Sequence, residues 1–104
     1  RAAGAESALD RIVDTFLATS AERVTTLLDA LARGTPASVA RAAHAFKSSA
    51  GAIGATGLAM LLDDVETAGR AERLSDPADV ARRVQHDAAA VETALRAYRA
   101  KAAA

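Results

Sequence analysis

Cysteine is absent from the 104 residues, so neither a disulfide nor thiol chemistry is available to this chain, and a cytoplasmic setting fits. Aromatic residues are almost absent as well: no tryptophan, one tyrosine and two phenylalanines. With alanine dominating instead, the composition leaves little material for a sheet and favours closely packed helices. There is no excess charge, since thirteen Lys and Arg balance thirteen Asp and Glu. No basic surface is therefore advertised to nucleic acid or to an anionic membrane. No apolar run approaches the ~18 residues of a membrane span, and the start lacks a signal-peptide pattern. The chain opens at Arg1 rather than at an initiator methionine, as a fragment of a longer protein would.

What remains is a chain of one expected domain, residues 1–104, long enough to bury roughly 65% of its unfolded surface. Four amphipathic segments fill it. Leu9, Ile12, Val13, Phe16, Leu17, Val24, Leu27, Leu28 and Leu31 keep one helical register from about residue 5 to Arg33, with a bend expected near Thr19 and Ser20, where the register meets a hydroxyl. Gly34 ends that helix, and Thr35-Pro36 starts the next with a capping side chain and a proline at the first position. The second helix runs to about Ile53, with a turn at Gly54-Ala55-Thr56. A third follows from about Thr56 to Ala71, apolar at Leu58, Leu61, Leu62 and Val65 and polar on its other side at Asp63, Glu66, Arg70 and Arg73. Asp76-Pro77 repeats the cap-then-proline device, with Asp79 as a capping-box acid. Val80, Val84, Val91, Leu95 and Tyr98 then mark a fourth helix from about Pro77 to Ala100, after which Lys101 and the terminal alanines should fray. The fold class is all-α, an antiparallel up-and-down four-helix bundle.

The most informative stretch runs from His44 to Gly54. Val39, Ala43, Phe46, Ala50 and Ile53 are spaced as a buried helical stripe. His44 and Lys47 lie off it, one turn apart, on a face completed by Ala40, Ser48 and Gly51, side chains too small to cover the histidine. Imidazole is nucleophilic near neutral pH, but no acid stands one turn away on this helix to orient it. Lys47 is the neighbour instead, and an ammonium there can hold an anion attached to the ring, such as a phosphoryl group. The plain alternative is a surface histidine beside a surface lysine.

Other residues carry weaker signals. His86 stands between Gln85 and Asp87 on the fourth helix and reads as a solvated surface residue. The two histidines have no ligand spacing, so no metal site is expected. Asp63 and Asp64 point about 100° apart on a helix and form no acid–base pair. The glycines at 51, 54 and 57 follow no strand and read as clearance and a turn, not as a nucleotide loop.

The run His-x-Phe-Lys-x-Ser-Ala-Gly-x-Ile-Gly-Ala from His44, followed by Leu58, Leu62 and Val65-Glu66, closely resembles the signature of histidine-containing phosphotransfer (HPt) domains of bacterial two-component phosphorelays. The match is strongest over residues 39–66, and the flanking helical pattern is similar to that family too. The resemblance implies that His44 accepts a phosphoryl group from a receiver-domain aspartate and donates it to another receiver. It implies that Lys47 steadies the phosphate, that Gly51 leaves clearance for docking, that Gly54 closes the helix, and that Nε2 is the modified nitrogen; Ala40, small and on the same face, is expected to add to that clearance. Ser48 departs from the family's more usual glycine, yet it is small and could hydrogen-bond the phosphate. Such a carrier has no ATP site and needs no cofactor, Mg2+ belonging to the partner receiver. Its partners are receiver domains of response regulators or hybrid histidine kinases, and it is expected to be a monomer.

Two rivals stand beside this reading. One is the phosphoacceptor domain of a chemotaxis-type or hybrid histidine kinase, which an ATP-binding domain further along the gene would favour. Dimerisation domains of ordinary sensor kinases fit less well, because Ala45 stands where they carry an acid. The other is a purely structural bundle in which His44 is incidental.

Overall fold

The computed structural model describes residues 7–103, which form α1 (Ala8–Arg33), α2 (Pro36–Ala52), α3 (Thr56–Arg70) and α4 (Pro77–Ala103), with no strand among them. Ser7 opens α1 through a capping box: its hydroxyl accepts from the Asp10 N–H at 3.0 Å, and the Asp10 carboxylate accepts from the Ser7 N–H at 3.4 Å. Residues 5 and 6, where the sequence pattern starts the helix, lie outside the described residues, as does Ala104. Gly34 ends α1 in the left-handed conformation, at φ 68°.

α1 runs unbroken through Thr19 and Ser20. Ser20 is buried inside a continuous helix and donates to Glu92 Oε2 at 2.9 Å, so a hydroxyl in the apolar register serves as a tether to α4. Tyr98 and Arg99 add two more ties. Tyr98 donates to Asp10 Oδ1 at 2.8 Å, and Arg99 to Asp14 Oδ1 at 2.7 Å. These bonds tie down the C-terminal part of α4, whose helix extends to Ala103, past the expected end at Ala100. They also bring Tyr98 to the surface and not into the core, while Leu9 and Ile12, expected on the buried stripe, are exposed at the same end.

Two capping expectations also fail. The Thr35 side chain makes no cap hydrogen bond, so Pro36 alone marks the start of α2. Asp76 does accept from the Ala78 N–H at 3.0 Å, but the Asp79 carboxylate is engaged by Arg82 at 3.2 Å. α2 closes as a Schellman motif around Gly54, at φ 73°: the Ala55 N–H donates to Ala50 O at 2.9 Å and the Gly54 N–H to Gly51 O at 3.1 Å.

Each helix packs on two neighbours, α1 on α2 and α4, α3 on α2 and α4. Phe16 and Phe46 stack at the centre with ring centroids 6.2 Å apart, among Leu27, Val39, Leu58, Leu62 and Val84. The stripe read from α2 is the buried one: Val39, Ala43, Phe46 and Ala50 are sealed, and Ile53 is half-buried.

The end of α3 repeats the geometry of α2's end without its glycine. Arg73 N–H donates to Ala68 O at 2.8 Å and Glu72 N–H to Gly69 O at 3.1 Å, with Glu72 itself at φ 54°. A side chain in that region costs roughly 1–2 kcal/mol. Glu72 is exposed, so Glu72→Gly should raise stability by about 0.5–1 kcal/mol in chemical denaturation, after the extra freedom glycine gains in the unfolded chain. A loss of stability would mean that the side chain contributes more than its backbone strain costs.

Candidate functional site

α2 and α3 lie against each other so that one face of each meets along a shared seam. His44 and Lys47 come from α2, and the seam brings Asp63, Glu66 and Arg70 from α3 to them. His44 is 57% exposed along its side chain, as its position off the buried stripe requires. Its Nδ1, however, lies 3.1 Å from Glu66 Oε2, so the ring has an acidic partner that inspection of α2 alone cannot reveal.

Glu66 is the centre of the arrangement. Its side chain is only 7% exposed, against the expectation of a solvated polar face on α3. Lys47 Nζ stands 2.7 Å from Oε1 as a close ion pair, outside the angles of a directed hydrogen bond, which leaves Oε1 buried without one. Arg70 donates to Oε2 through Nε at 3.0 Å and again through Nη2. Lys47 and Arg70, in that order, hold the carboxyl at a pKa of about 2, below its ordinary 4.5, despite the opposing effect of burial. Glu66 is thus ionised at neutral pH and can only accept, so the proton between it and His44 belongs to Nδ1. That leaves Nε2 of the neutral ring with a free lone pair.

Lys47 is less free than its place in the sequence implies. Its ammonium also donates to Asp63 Oδ1 at 3.0 Å, and its side chain is 29% exposed. The two carboxylates, Glu66 first, raise its pKa above the ordinary 10.5. The cluster of Lys47, Arg70, Asp63 and Glu66 is electrically balanced before any ligand arrives.

The small residues divide. Gly51 lies in the last turn of α2, exposed, and a Cβ built on it would meet nothing within 4 Å. Ser48 is exposed too, its hydroxyl donating to the His44 carbonyl at 3.1 Å and so turned into its own helix. Ala40, expected on the open face, is instead buried, because its Cβ faces Gly69 of α3. It leaves no clearance for a partner. His86 is exposed on α4, away from this seam.

Sequence reasoning misses Glu66 as part of the site, although a signal exists. Leu58, Leu62 and Glu66 follow one another at spacings of four, which puts a carboxylate on a buried line. A buried acid requires paired charge. Among the described residues, no three His, Cys, Asp or Glu side chains are grouped to hold a metal ion, and no helix is long and apolar enough to cross a membrane.

A protein-family model described as the Hpt domain matches residues 11–101. No curated protein and no solved structure matches the chain at a significant level.

The depressed Glu66 pKa fixes a pH window. Its contribution to stability is complete above about pH 4.5, the unfolded value, and is lost as pH falls towards about 2. Urea midpoints measured across this range should fall in the wild type and fall less steeply in Glu66→Gln. Equal slopes would mean that the ion pairs of Glu66 do not couple to folding.

Proposed function

The chain belongs to the Hpt domain family, and from that premise we propose that His44 is its phosphoacceptor. Hpt domains are phosphocarriers that take part in histidine phosphotransfer in phosphorelays, where they interact with receiver domains. The observation that carries the assignment is the pairing of an exposed imidazole with a buried, ionised carboxylate at one nitrogen only.

That pairing supports Nε2 as the nucleophile. Its lone pair attacks the phosphorus of a receiver's aspartyl phosphate in line, a P–N bond forms, and the P–O bond breaks with its electron pair returning to the aspartate. The ring becomes cationic as the bond forms, and Glu66 stabilises the Nδ1–H that shares this charge. Donation to a second receiver reverses these events. Lys47 neutralises the phosphoryl oxygens by exchanging its bond to Asp63, whose side chain is 59% exposed and whose ion pair is correspondingly weak. The Ser48 hydroxyl reaches the phosphoryl group only by rotating away from the His44 carbonyl. Mg2+ belongs to the receiver, and the carrier contributes position and charge.

The same reading covers the whole chain: one monomeric, cytoplasmic domain folded as an antiparallel up-and-down bundle. In support, the contacts of α1 with α4 pair Asp10 with Tyr98 and Ser20 with Glu92, and those of α2 with α3 pair His44 with Glu66 and Lys47 with Asp63, rising numbers against falling ones. Open space over Gly51, two turns past His44 and about 10 Å along the helix, fits a docking face for the receiver.

Incubation with phosphorylated receiver domains should label the wild type and His86→Gln, whereas His44→Gln takes no label. The phosphoramidate should be lost in acid and survive in base. Label remaining in His44→Gln would overturn the assignment. Gly51→Gln separates docking from folding, since the fold has room for the side chain and a docked receiver does not. Its melting temperature should hold or rise slightly, since glutamine is the better helix former, while transfer slows by about a hundredfold, the order expected for ~1 Å of misplacement. Unchanged transfer would remove Gly51 from the docking face.

A further inference from the structure

A glycine inside a helix costs about 1 kcal/mol relative to alanine, so Gly69, in the last turns of α3, needs a reason. It is buried, and a Cβ on it would stand 2.9 Å from Pro36 O, 3.1 Å from Ala40 N and 3.2 Å from Ala40 Cβ. Two of these three atoms belong to the backbone of the first turn of α2 and cannot rotate aside. An alanine at 69 would therefore push the two helices apart or make them slide. Gly34, Gly51, Gly54 and Gly57 have nothing within 4 Å of such an atom, so the close approach is particular to Gly69 among the glycines described.

The contact lies one helical turn from the reacting pair. Ala40 precedes His44 by four residues, and Gly69 follows Glu66 by three, so each partner shares a face with its neighbour in the site. Glu66 has to satisfy 3.1 Å to His44 Nδ1 and 2.7 Å to Lys47 Nζ together, and hydrogen-bonding distances tolerate only a few tenths of an ångström. The α2–α3 separation that makes both possible is set where α3 touches the α2 backbone.

We propose that Gly69 is a positioning residue for the His44 site: its bare Cα seats α3 on the first turn of α2, and that seat holds Glu66 Oε2 against His44 Nδ1. The effect on transfer rests on His44 being the phosphoacceptor; the effect on the imidazole does not.

The test uses the full chain, labelled with 15N, and two readouts: the imidazole 15N spectrum at alkaline pH, which reports the tautomer of His44 with exposed His86 as internal reference, and the transfer rate from a receiver phosphorylated with acetyl phosphate. Gly69→Ala should lower the Nδ1–H fraction of His44 and slow transfer about tenfold or more. Val84→Ala, which opens the core where α4 is buried, should lower the melting temperature and change neither readout. If Gly69→Ala does not fold, Ala40→Gly/Gly69→Ala removes the one side-chain contact and is read in the same way. An unchanged tautomer in a folded variant, an equal tautomer change in Val84→Ala, or failure of both Gly69 variants to fold would overturn the positioning role and leave Gly69 as packing alone. A wild type that takes no label at His44 while the tautomer responds as expected would instead overturn the phosphoacceptor reading.

Discussion

A buried carboxylate must be paired, and the Glu66 carboxylate is paired by groups from two helices at once. Arg70 reaches it from the following turn of α3, but Lys47 and His44 reach it from α2. The requirement therefore acts on the relative placement of the helices and not only on local charge. Sliding α3 along α2 by one residue would strand Glu66 away from Lys47, with an ion left buried and partly unpaired. The same interaction that disciplines the packing also engages His44 at Nδ1, so the packing of the helices and the orientation of the imidazole share one set of atoms.

The bundle solves a related problem with few aromatic residues. Phe16 and Phe46 fill the centre, leucine and valine make up most of the rest of the core, and alanines between them let the helices approach closely. Ala40 against Gly69 is the extreme of that tendency. Where α1 meets α4, polar ties add to the apolar core: Ser20 to Glu92, Tyr98 to Asp10 and Arg99 to Asp14. Directed bonds specify register where a run of small apolar side chains would allow slippage.

Much of the candidate site is legible in the amino-acid sequence. His44 and Lys47 stand one turn apart, and Phe46 between them in sequence points the other way; periodicity alone makes that plain. The openness over Gly51 is legible too. Ala40 is not, because a small residue leaves space only if no neighbouring helix fills it, and Gly69 does. Glu66 reads as a solvated acid because the charged residues around it, Asp63 and Arg70, are exposed; its own place in line with Leu58 and Leu62 carries the contrary signal.

By itself the sequence determined the four helices and most of their ends, through Gly34, Pro36, Gly54 and Pro77, and it determined which side of α2 is buried. Those properties are local: they follow from backbone freedom at glycine and proline and from a repeat of 3.6 residues along one helix. Only the tertiary structure decided that Glu66, twenty-two residues from His44, is the acid that orients its ring. Helical periodicity states which residues share a face, but it leaves open how far one helix is shifted and rotated against the next. Those two quantities are set by packing between helices, and the contacts of His44 and Lys47 with α3 depend on them.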